Sequence, residues 1–165
     1  MNAAVRRVRR ASKSTRISLR VESPDWRGVD MALLRQAVRA TLASAQRSGE
    51  LTVLLTDDKS LLLLNKKFRG KPKPTNVLSF PSSPQPDDGY LGDVAIAFGV
   101  TAKEAEAAHK TLSNHAAHLV VHGVLHLLGY DHEVAGEART MESLEVIILK
   151  QLGIGDPYAP AMAAE

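Results

Sequence analysis

The 165 residues include no cysteine, so disulfides are excluded and any metal site must be assembled from histidine and carboxylate ligands; the absence suits a reducing compartment. No apolar run approaches the ~20 residues needed to cross a bilayer, and no apolar segment follows the N-terminal arginines, which argues against a secretory signal. The first 21 residues lack any acid, yet they hold seven cations: Arg6, Arg7, Arg9, Arg10, Lys13, Arg16 and Arg20. That imbalance accounts for all of the chain's basicity. The net charge is +3, but the 14 Lys and Arg outside this segment face all 18 Asp and Glu, a balance of −4. The signal for an anionic partner therefore belongs to the tail, which reads as a solvated extension, a phosphate-binding arm or an organellar transit peptide.

What is present suits one domain with a substantial core, since 44% of the residues are apolar. The expected organisation is a basic, disordered tail over residues 1–14, one folded domain over 15–158 and a flexible C-terminal tail over 159–165. "RISLRVE" alternates apolar and polar residues as a half-buried strand does, and strands are also expected at "LTVLLT", "NVLSFP" and "GDVAIAFG". "DMALLRQAVRATLASAQRSG" reads as an amphipathic helix with Asp30 as N-cap and Gly49 past its end, and Asp57 is placed to cap a helix through "KSLLLLNKKF". Thr101 and Glu104 have the spacing of a capping box for a helix over "AKEAEAAHK". Another helix is expected from about Ser113 or Asn114 to Leu128, stopped by Gly129, and a last one over "AGEARTMESLEVIILKQLG". Four strands with four or five helices and no repeats predict an α+β single domain, the order of its strands left open.

The most informative stretch is "HGVLHLLGYDH", residues 122–132. On a helix over 114–128, His115, His118, His122 and His126 fall within an arc of ~80°. The rest of the circumference is apolar, as in a buried helix. A buried imidazole without partners costs ~1–3 kcal/mol. His122 and His126, one turn apart, can face one ion, and the turn after Gly129 can return His132 to it. Zinc with three protein ligands keeps a position for water, whose pKa falls toward ~7 and which then supplies a hydroxide nucleophile. His115 and His118 are expected to be half-exposed surface residues, His118 alternatively supporting the ligands. Tyr130 or Asp131 could orient an imidazole, or Asp131 could shape the turn.

The same ligand spacing belongs to the metzincin proteases, where a Glu follows the first His as general base. Here that residue is Gly123, which cannot accept a proton. Lys66, Lys67, Arg69, Lys71 and Lys73 instead put five cations into eight residues. They suit a phosphodiester, whose reaction develops negative charge on oxygens that arginine binds bidentately.

Taken together, "FRGKPKPTNVLSFP", "LGDVAI", "HGVLHLLGYDH" and the closing "GIGDPY" resemble the YbeY endoribonucleases, or rRNA maturation factors, over residues 50–158. The resemblance implies a zincin-like α+β fold with a mixed four-stranded sheet. It also implies a zinc-dependent, single-strand-specific cytoplasmic endoribonuclease, with one zinc per chain, acting on 16S rRNA of the small ribosomal subunit in end maturation and quality control. Carried over residue by residue, the zinc ligands are His122, His126 and His132, and the catalytic arginine is Arg69. The rivals are a metalloprotease and a non-catalytic rRNA-binding assembly factor with structural zinc, which a fourth ligand from His118 or Asp131 would favour.

Overall fold

The computed structural model describes residues 15–82, 89–131, 133 and 135–159. The basic tail over 1–14 and the last six residues lie outside them, as does His132. Among the described residues are strands β1 (Arg16–Val21), β2 (Glu50–Thr56), β3 (Val77–Pro81) and β4 (Tyr90–Ala97). The helices are α1 (Met31–Ser44), α2 (Asp58–Arg69), α3 (Phe98–Ala107), α4 (Leu112–Leu127) and α5 (Ala135–Gln151). A 3-10 turn over Pro24–Trp26 buries Trp26, whose indole N–H donates to the Thr56 carbonyl at 2.9 Å.

The strands form one mixed sheet in the order β1-β2-β4-β3. β1, β2 and β4 are parallel and β3 is antiparallel to β4. β4 is central, and from Val94 onward its side chains alternate between two cores. Val94 and Ile96 point to the main core with Leu34 and Val38 of α1, Val120 and Val124 of α4 and Ile148 of α5. Ala95 and Ala97 point to a smaller core with Leu61 of α2 and Leu78 of β3. A strand covered on both faces has no polar side to display, which is why "VAIA" reads as a continuous apolar run.

The expected caps at Asp30 and Asp57 form: their carboxylates accept from the amides of Leu33 and Ser60 at 3.0 and 2.7 Å. α1 ends earlier than expected, at Ser44, and Gln46 rather than Gly49 takes the left-handed conformation after it (φ 53°). The capping box does not form. α3 leaves β4 directly at Phe98, and the Asp58 carboxylate, reaching across from α2, accepts from the Val100 amide at 3.0 Å. Thr101 lies inside the helix, its hydroxyl donating to the Ala97 carbonyl, and Glu104 is turned to Asn76 and His115.

α4 lies directly on the sheet because of Gly123. A Cβ there would sit 2.5 Å from Cγ1 of Val94 and 3.2 Å from the hydroxyl oxygen of Ser79. That hydroxyl donates to the Gly123 carbonyl at 2.8 Å, fastening α4 to β3. Val94 is fully buried and stiff at χ1, so it has nowhere to go. Gly123→Ala is expected to lower stability by about 1–3 kcal/mol in urea unfolding, with Val94→Ala restoring part of the loss in the double variant. An alanine variant as stable as the parent would show that the helix can shift freely on the sheet.

Candidate active site

A polar cleft of about 610 Å³ opens where the end of α2, the strand β3 and the end of α4 meet. Its walls include Arg69, Lys71, Asn76 and Ser79 on one side and His122, His126, Tyr130 and Asp131 on the other. Two of the three expected metal ligands and the expected catalytic arginine thus converge from separate elements. His132, the third, lies outside the described residues.

Each wall is fixed by local structure. Along α4 every residue from His115 to Leu127 is buried or half-buried, so the helix cannot rotate without breaking the core. It closes at Gly129 (φ 95°), where the Tyr130 amide donates to the Leu125 carbonyl at 3.1 Å and the Gly129 amide to the His126 carbonyl at 3.0 Å. This is a Schellman closure, and it sends the chain sharply away from the helix axis at the cleft. On the opposite wall α2 ends at Gly70 (φ 65°). Exposed Arg69 occupies the last helical position and donates from Nη2 to the Ser79 carbonyl at 3.1 Å. Asn65, nearly buried, donates to the Lys73 carbonyl at 3.0 Å and holds the cationic loop that follows.

The Nε2 atoms of His122 and His126 lie 3.1 Å apart. Two nitrogens each ~2.0–2.1 Å from a tetrahedral ion would be separated by about 3.3 Å. The Nδ1 of His122 is 2.6 Å from Oε1 of Glu145 in α5. With Nδ1 protonated toward the carboxylate, the ring's lone pair sits on Nε2, as in the carboxylate–histidine pairs that orient metal ligands. The donor set therefore fits a zinc-type ion. Among the described residues no group of three or more His, Cys, Asp or Glu is gathered to hold one; the expected third ligand is not among those residues.

Glu145 was not among the candidate residues read from the sequence. It is completely buried. Burial pushes its carboxyl pKa up, but hydrogen bonds from His118, His122 and Tyr158 outweigh this and hold it at about 2. Oε2 faces His118 Nε2 at 3.1 Å and accepts from the Tyr158 hydroxyl. Burial, with the carboxylate's hydrogen bond next, pushes the Tyr158 pKa up and keeps the phenol neutral. Glu145 thus orients the His122 ring, beside the expected Tyr130 and Asp131, which line the cleft. Asp131 lines the cleft and accepts from the Glu133 amide at 3.3 Å, shaping the turn.

The expectation that His115 and His118 are half-exposed is corrected. The His118 side chain is 14% exposed and supports Glu145. His115 is buried, with Nε2 3.2 Å from Glu104. A whole-circumference apolar helix leaves no solvent face for a histidine to occupy. Burial pushes the His115 pKa below 6.5, only partly offset by Glu104, and its Nδ1 has no hydrogen-bond partner among the described residues. The unfolded chain therefore takes up this proton more readily than the folded one. Stability from this site is complete above pH 6.5 and is lost as pH falls below it. His115→Gln is expected to flatten the acid side of a urea-midpoint series against pH; parallel slopes for parent and variant would contradict the burial cost.

The mixed four-stranded sheet with its five helices defines an α+β domain with the fold of the solution structure of TM1509 from Thermotoga maritima. The two share a TM-score of 0.51 at 21% identity, covering 87% of this chain and 99% of that one. The family model described as Endoribonuclease YbeY matches residues 19–153, and the chain belongs to that family. The Endoribonuclease YbeY of Chelativorans sp. is 44% identical, covering 90% of this chain and 96% of the relative. That of Rhodopseudomonas palustris strain BisA53 is 49% identical, covering 75% and 76%. That of Nitrobacter winogradskyi is 55% identical over 68% of this chain, which spans 63% of that relative's length. No helix among the described residues is long and apolar enough to cross a membrane.

Proposed function

We propose that this protein is a zinc-dependent, single-strand-specific endoribonuclease that acts in the cytoplasm on 16S rRNA of the small ribosomal subunit, in end maturation and quality control. The observation that carries this reading is the shared cleft of Arg69, His122 and His126, with a cationic loop at its mouth. Endoribonuclease is also the activity in the names of its relatives. His122, His126 and His132 would hold the ion, which when bound supplies Lewis acidity toward water and a phosphoryl oxygen. Arg69 binds the phosphodiester and stabilises the charge that grows on its oxygens. Glu145 keeps the His122 ring turned with Nε2 into the cleft. The protease alternative has no base at position 123, and the packing of Val94 and Ser79 leaves no room for one.

The test is metal content together with cleavage of matched single-stranded and duplex RNA by the purified protein. Zinc-loaded protein should cut the single strand and spare the duplex; peptide hydrolysis or metal-independent cutting would refute the reading. Glu145 acts by positioning, so Glu145→Gln should weaken zinc affinity about 10- to 100-fold in a chelator competition. Saturating zinc should then recover much of the cleavage. Unchanged zinc affinity in that variant would remove Glu145 from the site.

A further inference from the structure

The opposite face of the sheet carries a second groove of about 690 Å³, whose apolar lining comes from Leu54, Leu64, Phe68, Phe80 and Ala95. Leu61, Leu64 and Phe68 follow one stripe of α2. Leu61 is buried in the smaller core and Leu64 packs against it, but Phe68 overhangs the groove 59% exposed. Its ring is nevertheless oriented: Phe80 stands edge-on at 5.4 Å, and Lys67 Nζ lies 5.2 Å from the ring centroid. An exposed, pre-oriented aromatic ring beside a cation is the local pattern by which proteins hold single-stranded nucleic acid, the base stacking and the phosphate meeting the charge.

The groove adjoins the histidine cleft at β3. Ser79 lines both, and Arg69, bonded to the Ser79 carbonyl, follows Phe68 directly. A strand leaving the cleft past Arg69 meets the Phe68 ring next, with exposed Lys67 beside it. The acids of the groove are engaged, Glu22 by Arg20 at 3.7 Å and Asp93 by the Tyr90 hydroxyl. They favour a neutral base inside the groove and the phosphates on the cationic rim of α2. We propose that Phe68, backed by Phe80, is a base-stacking subsite for the single-stranded RNA, beside the phosphodiester held at the cleft. The identity of the ligand rests on the endoribonuclease reading above.

The test compares the zinc-loaded parent with Phe68→Ala and Phe68→Tyr. Affinity for a labelled single-stranded RNA is read by anisotropy at fixed salt, with the intact strand and with strands carrying one abasic nucleotide at each position in turn. Losing one stacked base should weaken binding roughly ten-fold in Phe68→Ala and hardly at all in Phe68→Tyr. One or two abasic positions should weaken the parent equally and add nothing to the Phe68→Ala loss. In cleavage the alanine variant should raise KM and leave kcat and zinc content alone. Full RNA affinity in Phe68→Ala, or no abasic position that matters, would overturn the subsite and leave the groove to a protein partner. The two readings fail separately: binding that depends on Phe68 without any cleavage sinks the nuclease, while cleavage with unchanged KM in Phe68→Ala sinks the subsite.

Discussion

His126→Ala is expected to hold almost no zinc where the parent holds about one ion per chain, and to lose cleavage of single-stranded RNA with it. The residue faces its neighbour His122 across 3.1 Å at the cleft, so its removal would take one of the three proposed imidazoles from the ion. The fold should survive, because the apolar contacts of α4 come from the residues around it. Metal analysis after equilibration with zinc, alongside a thermal melt, separates the two effects. Zinc at full occupancy in a folded His126→Ala variant would remove the proposed site. Iron, cobalt or nickel in place of zinc would change only the ion's identity, since imidazoles accept all three.

Arg69→Ala should lower cleavage by about 10² to 10³, corresponding to ~3–4 kcal/mol of lost charge stabilisation, while zinc content and folding remain those of the parent. Arg69 is exposed and reaches the Ser79 carbonyl from the end of α2, so little of the core depends on it. Arg69→Lys should recover only part of the rate, because an ammonium lacks the planar fork that grips two phosphate oxygens. Undiminished cleavage by a zinc-loaded alanine variant would show that the arginine has no part in the reaction.

Both residues could be found from the sequence, but by different routes. His122 and His126 stand out because a four-residue step on a helix is a spatial statement in itself. Arg69 is one cation of five, and only the resemblance selects it; of the five, the cleft lining includes Arg69 and Lys71. Glu145 escaped because its partners lie 23 and 27 residues away, a separation no local pattern encodes. A signal was present all the same: Met141, Glu145, Ile148 and Leu149 form one buried stripe, and an acid on such a stripe must have partners inside. His115 is buried and not a surface residue, because the helix around it is apolar on every side; His118, through Glu145, takes the supporting place that its spacing also allows. The strand order was not legible, because a parallel neighbour is chosen by crossover connections and not by the strand's own residues.

The burial of α4 on all sides has a consequence for how the protein would respond to metal supply. In a zinc finger the ion orders the chain, so that binding and folding are one equilibrium and a chelator unfolds the domain. Here Val120, Val124 and Leu125 order the imidazole helix through the core. On the proposed function, loading and withdrawal of an ion would be local exchange at a standing pair of imidazoles, and cleavage would follow metal availability while the amount of folded protein stays constant.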